Sequence, residues 1–212
     1  MTEHDSDSGR MPDDRFSTAA LSTVDEPPVD EEPQPKSHGI LEFFAIIVVA
    51  AVLVWAIQAF VARPYRVPSG SMLETIQLND YVLSEKVTLY ASSPQRGQVV
   101  TFLDPADSDT TLIKRVIATG GQTVDLRHGS VYVDGVELDE PYTDGKPSYP
   151  LASTLDDQDI SYPYTVPDDC LWVMGDNRTN SADSRYFGAV PVSSVTGHAC
   201  LIYWPPRDFG GL

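Results

Sequence analysis

From Phe43 to Ala62 the chain reads FFAIIVVAAVLVWAIQAFVA, twenty residues in which Gln58 is the one strongly polar side chain. At the helical rise such a run is about 30 Å long, the thickness of a bilayer's hydrocarbon core. Its length and purity predict one membrane-spanning helix rather than the core helix of a soluble protein. Arg63 stands just outside, where its stem can snorkel to the interface. The run exceeds a signal-peptide core and lies behind a long acidic stretch. It also places Phe60, not a small residue, three positions before any cut after Ala62. The pattern therefore predicts an uncleaved anchor within residues 39–62.

Beyond the anchor the period shortens. Tyr81–Ser84, Val99–Leu103, Thr111–Ala118, Ser130–Val133, Leu171–Met174 and Ala199–Tyr203 are short runs of β-branched, aromatic and aliphatic residues, the composition of strands. Val131-Tyr132-Val133 and Val136-Glu137-Leu138 flank Asp134-Gly135, a two-residue hairpin signal. Ser71 to Leu78 is expected to form a short helical turn. Residues 139–167, rich in Pro, Asp, Ser and Tyr, read as a long excursion with little regular structure. No segment of 63–212 sustains a helical period, so the prediction is one all-β domain.

Charge changes the picture at the N-terminus. The chain carries a net −17, and residues 1–38 hold ten Asp and Glu against Arg10, Arg15 and Lys36. Such a segment, rich in Pro and Ser, buries too little apolar surface to offset its ordering entropy and is expected to be disordered. No basic stripe appears elsewhere, which argues against nucleic acid as a partner. Near the anchor the basic residues are Lys36 on one side and Arg63 and Arg66 on the other. That difference of one charge leans toward a cytoplasmic C-terminus, too weakly to decide.

Three clusters carry candidate chemistry. Ser71 lies in Val67-Pro68-Ser69-Gly70-Ser71-Met72. By itself it reads first as a turn or cap residue. Gly70, however, permits close approach of another backbone, and Ser69 offers a second hydroxyl to a developing oxyanion. Lys114 lies in the apolar run Leu112-Ile113-Lys114-Arg115-Val116-Ile117. It is either an edge-strand lysine or a desolvated amine whose lowered pKa suits a general base. Arg115 stays charged and is expected to pair with a carboxylate. Gly175-Asp176-Asn177-Arg178-Thr179-Asn180-Ser181-Ala182-Asp183-Ser184-Arg185 alternates carboxylates, arginines and hydroxyls. It reads as a solvated loop or as a buried network in which Ser181 orients the lysine.

Taken in order behind one anchor, these blocks and the closing Gly188…Val190-Pro191 resemble bacterial type I signal peptidases (leader peptidases). The resemblance implies a signal-peptidase-type β catalytic domain over 63–212, outside the cytoplasmic membrane, with the N-terminus cytoplasmic. It implies Ser71 as nucleophile, Lys114 as general base, and Ser69 Oγ with the Ser71 N–H as oxyanion hole. Ser181 would position the lysine, and Asp176, Arg178, Asp183, Arg185 and Arg115 would support the site. Val67, Met72, Ile76 and Ile113 resemble the family's substrate pocket, apolar and suited to small side chains. The expected partners are signal-peptide-bearing preproteins and membrane lipid, with no cofactor. Ser71 follows Ala62 by nine residues, so it lies within about 30 Å of the bilayer.

The chain departs from the pattern at Gln122, where the family often has an acid after the glycine turn, and in showing one span where well-known members have two. Cys170 and Cys200 lie outside the pattern and admit two readings, a disulfide in an oxidising compartment or two small buried side chains. His4, His38, His128 and His198 have no metal-ligand spacing, so no metal site is expected. The rival readings are another Ser-Lys maturation peptidase, of the conjugation-pilus type, and a membrane-anchored β-domain that binds without catalysis. A self-cleaving repressor is excluded by the anchor and by the lack of a DNA-binding domain.

Overall fold

The computed structural model describes residues 39–212; the acidic segment 1–38 lies outside the described residues. Helix α1 runs Gly39–Phe60, and none of its residues is buried. Apolar side chains exposed all round 22 residues make a helix about 33 Å long, long and apolar enough to cross a membrane. The helix starts four residues earlier than the apolar run and stops two residues sooner. Its last carbonyls are taken by basic groups: Arg63 Nε donates to Gln58 O, and Lys86 Nζ to Ala59 O. Ala62 then opens strand β1, Ala62–Arg66, antiparallel to β2, Tyr81–Glu85.

The remaining elements are mostly strands. They are α2 Val87–Ala91, β3 Val99–Asp104, β4 Asp107–Thr119, β5 Thr123–Arg127, β6 Ser130–Val133 and β7 Val136–Glu137. Then follow β8 Tyr164–Thr165, β9 Cys170–Met174, α3 Ser184–Phe187, β10 Val190–Pro191, β11 Val195–Trp204 and β12 Gly210–Gly211. One sheet has the order β1-β2-β11-β3-β4-β9-β10, with β12 on β11; the other has β7-β6-β5-β8. The fold is mostly β, as the alternation predicts. Asp134 and Gly135 both have positive φ, so the β6–β7 turn is the tight kind that suits twisted strands.

Three apolar clusters fill the interior. Val67, Met72, Ile76, Val82, Val99, Ile113, Ala199 and Ile202 form one. A second gathers Ile117, Val124, Val131 and Val133 around Trp172 and Met174. The third holds Val100, Phe102, Val116, Val173 and Phe187. Lys114 therefore sits on a strand with packed clusters about it. It is not a solvated edge lysine: it pairs with Val100 of β3, stands one residue before the pairing with β9 begins at Arg115, and is buried.

Of the two cysteine readings, the disulfide is excluded. Cys170 and Cys200 are free, on β9 and β11, with β3 and β4 between those strands. Three strand spacings are about 14 Å, well beyond the Cα separation a disulfide bridges. Ser71–Leu78 forms successive turns, one of them the expected helical turn, closed by Ile76 N donating to Met72 O at 2.9 Å, and goes no further. A helix would use the Ser71 carbonyl for Thr75, but that oxygen accepts instead from Asn177 N at 3.0 Å.

Candidate active site

Ser71 and Lys114 meet. Lys114 Nζ is 2.8 Å from Ser71 Oγ and donates to Ile113 O at 3.0 Å. Lys114 is 3% exposed and Ser71 8%. Burial pushes the Lys114 amine down to about 8, against the carboxylates of Asp183, Asp104 and Asp176, which favour its charged form. The position of β4 explains the burial. Its partner β9 ends at Met174, opposite Arg115, so Lys114 lies where the strand loses one neighbour but keeps the core behind it.

That burden gives a stability prediction. Below about pH 8 the amine is charged in both folded and unfolded chains, and the fold bears the full desolvation cost. Between about 8 and the free value of about 10.4, the unfolded chain holds a proton that the folded one lacks. Stability therefore rises with pH through that window and is flat above it. Lys114→Met should stabilise the fold by up to about 3 kcal/mol at pH 6.5, and by close to nothing at pH 10.5. Melting temperatures in detergent at the two pH values check this. A gain that is equal at both would mean that desolvation is not the cause.

The segment of the nucleophile candidate is anchored from across the domain. Asn177 N donates to Ser71 O, and Asn177 Nδ2 to Gly70 O at 2.8 Å. Thr75 Oγ1 donates to Asp176 Oδ2 at 2.6 Å. Asp176 in turn accepts from Arg115 Nε at 2.9 Å and Nη2 at 2.7 Å, so Arg115 grips it with both arms of its fork. Gly175 has no room for a side chain: a Cβ there would collide with Ser181 Oγ and the Ser71 carbonyl. Asp183 accepts from Gly175 N, Arg185 N, Arg185 Nε and Arg185 Nη2, and caps α3. Arg178 donates to Gly175 O and to Glu140.

The other expected residues stand as follows. Ser69 is exposed, its Oγ 3.5 Å from Ser71 Oγ. Ser181 Oγ is buried beside Gly175 but has no hydrogen-bond partner among the described residues, so no bond to Lys114 is present. Val67, Met72, Ile76 and Ile113 share one buried cluster; Met72 and Ile76 have no exposed surface. Gln122 explains its own departure from the pattern. Its Oε1 accepts from Thr119 N, as an acid there would, while its Nε2 donates to Asp134, which would repel an acid. Asn177, Thr75 and Glu140 were not singled out by the sequence. Asn177 stood within the third block, but its partners lie a hundred residues away.

A buried serine–lysine pair on a mostly β framework, behind an apolar anchor, defines a serine peptidase of the serine–lysine kind. The family described as signal peptidase, peptidase S26, matches residues 40–204. The probable signal peptidase I-1 of Synechocystis sp. is 38% identical over 82% of this chain and 87% of its own. The probable signal peptidase I-2 of the same organism is 37% identical over 84% and 79%. Signal peptidase I of Mycobacterium tuberculosis is 36% identical over 85% and 78%. The chain belongs to the signal peptidase family, peptidase S26: it is a membrane-anchored serine peptidase of the kind that removes signal peptides.

Proposed function

We propose that this enzyme cuts signal peptides from exported preproteins with Ser71 as nucleophile and Lys114 as general base. The observation that carries this is the 2.8 Å contact between Ser71 Oγ and a buried lysine amine. A neutral Lys114 takes the Ser71 proton as Oγ attacks the carbonyl before the cut. The tetrahedral oxyanion meets the Ser71 N–H and the Ser69 hydroxyl, which has to turn toward it. Collapse expels the mature protein's amine, protonated by Lys114, and leaves an acyl-enzyme. Water, deprotonated by the same lysine, then releases the signal peptide. Beside the pair, β4 from Asp107 to Lys114 has a strand partner on one side only, β3, among the described residues. An extended substrate segment can add to that free edge. Val67 and Ile113, members of the apolar cluster that also holds Met72, favour a small side chain before the cut.

In this reading residues 1–38 are a cytoplasmic tail, 39–62 the single-pass anchor, and 63–212 an extracytoplasmic catalytic domain. Orientation follows from the substrate: signal peptides are cut after crossing the membrane, so Ser71 belongs on the far side.

The test is the pH profile of cleavage of an Ala-x-Ala precursor by the full chain in detergent. Activity needs the neutral amine, so kcat/KM should climb about tenfold per pH unit and level off above about 8. At pH 6 it should be about a hundredth of the plateau. An acidic limb centred near the free-lysine value of about 10.4, or no limb at all, would remove Lys114 from the base's role.

A further inference from the structure

The excursion over 139–167 reads as weakly structured in the sequence, yet its first part is tied into the site by charged groups. Glu140 accepts from Arg178 Nη2 at 2.6 Å and Nη1 at 2.8 Å, a two-armed grip on a side chain with no exposure. Arg178 spends its other donors on Ser148 Oγ, at 2.6 Å, and on Gly175 O, at 3.0 Å. Tyr142 Oη donates to Glu140 Oε1 at 3.0 Å. Two guanidinium groups lie over its ring: Arg115 Cζ is 4.1 Å from the ring centre and Arg178 Cζ 5.9 Å. Farther on, Lys146 reaches Glu74 at 3.5 Å, and Arg185 Nη1 donates to Tyr149 O.

We propose that Glu140 is a positioning residue for the serine–lysine centre, acting through Arg178 to hold the Gly175–Asn177 turn in the register that aligns Ser71. This rests on the reading of Ser71 and Lys114 as the working pair. The route is short. Arg178 fixes the Gly175 carbonyl, and Gly175 touches both the Ser71 carbonyl and Ser181 Oγ with no slack for even a methyl group. Two residues on, Asn177 holds the Gly70 and Ser71 carbonyls. Tyr142, clamped on Arg115 beside Lys114, ties the strand of the base to the same carboxylate. Without Glu140, and with the Asp183 charge acting on it only from farther off, Arg178 is a buried cation stripped of its ion-pair partner. It turns toward water and takes the Gly175 carbonyl with it, displacing Ser71 from the amine. Misplacement on the order of 1 Å lowers a rate about 100-fold.

The experiment uses the full chain in detergent with Glu140→Gln, Glu140→Asp and Ser71→Ala. It reads kcat and KM on an Ala-x-Ala precursor, and the rate and amplitude of Ser71 labelling by a serine-reactive acylating probe. Amplitude counts folded sites; rate reports their alignment. Glu140→Gln should lower kcat and the labelling rate by about 10- to 100-fold, with KM within about threefold and full amplitude. Glu140→Asp, which keeps the charge, should recover part of that loss. A Glu140→Gln variant within twofold of the parent, beside an inert Ser71→Ala, would overturn the role of Glu140 and leave the serine–lysine reading standing. So would a loss confined to amplitude, which marks a merely structural contact. An active Ser71→Ala would instead overturn the reading beneath the proposal, leaving Glu140 nothing to position.

Discussion

Ser71→Ala and Lys114→Ala each lower kcat/KM on a signal-peptide substrate by about 10⁴- to 10⁶-fold, and the double variant is no worse than either single one. Serine is inert until its proton is taken, and here the group 2.8 Å from its oxygen is one amine. Removing either partner removes the same step, so the losses do not add. Steady-state cleavage by the parent and the three variants checks this. The key figure is the double variant: losses that multiplied would show two groups working independently. A Lys114→Ala variant within about tenfold of the parent would mean that another base serves Ser71. Neither substitution should unfold the chain. Ser71→Ala deletes one oxygen, and Lys114→Ala removes a charge that the fold bears at a cost.

What could be read in the sequence divides along the range of the interactions. The span 43–62, the Asp134-Gly135 hairpin and the strands around Val99, Thr111 and Leu171 are set by neighbours in sequence, and periodicity reveals them. The helix stops short of the apolar run's end where Arg63 takes the Gln58 carbonyl and Lys86, some twenty-five residues downstream, takes that of Ala59. The cysteine question turned on strand order. Two strands inserted between β9 and β11 keep the thiols apart, and no local pattern encodes that. Ser71–Leu78 stops at one helical turn for a similar reason: Asn177 captures the Ser71 carbonyl that a longer helix needs.

At the site, residue type and context raised Ser71 and Lys114 as candidates, since a lysine amid Leu, Ile and Val requires an explanation, and the resemblance of the ordered blocks supplied their expected roles. The carboxylate partner of Arg115 was legible as a need but not as Asp176, because the pairing spans sixty-one positions. Glu140 and Tyr142 were hidden in a stretch whose composition resembles a loop. Their order comes from two arginines that satisfy buried charge there, a debt visible only once Arg178 is seen to be covered.

Asp183→Asn destabilises the fold by about 3–5 kcal/mol and moves the acidic limb of the pH profile to lower pH. Asp183 is fully covered, and Arg185 beside it is 2% exposed. The carboxylate serves Gly175 N and three donors of Arg185. An amide keeps the shape but turns an NH2 toward that guanidinium and leaves it an uncompensated buried charge. Replacing both residues, as Asp183→Asn with Arg185→Met, should restore part of the stability, because the penalty lies in the stranded charge and not in the missing pair. The catalytic shift has its own sign. Asp183 is the strongest of the carboxylates that favour a protonated Lys114. With it neutral, the amine gives up its proton more readily, and the plateau extends to lower pH. The two effects separate cleanly: melting in detergent reads the first, and the midpoint of the limb in log kcat/KM reads the second. A limb that stays in place, or moves to higher pH, would mean that Asp183 does not act on Lys114 through its charge, leaving its part in the site to the backbone turn it caps.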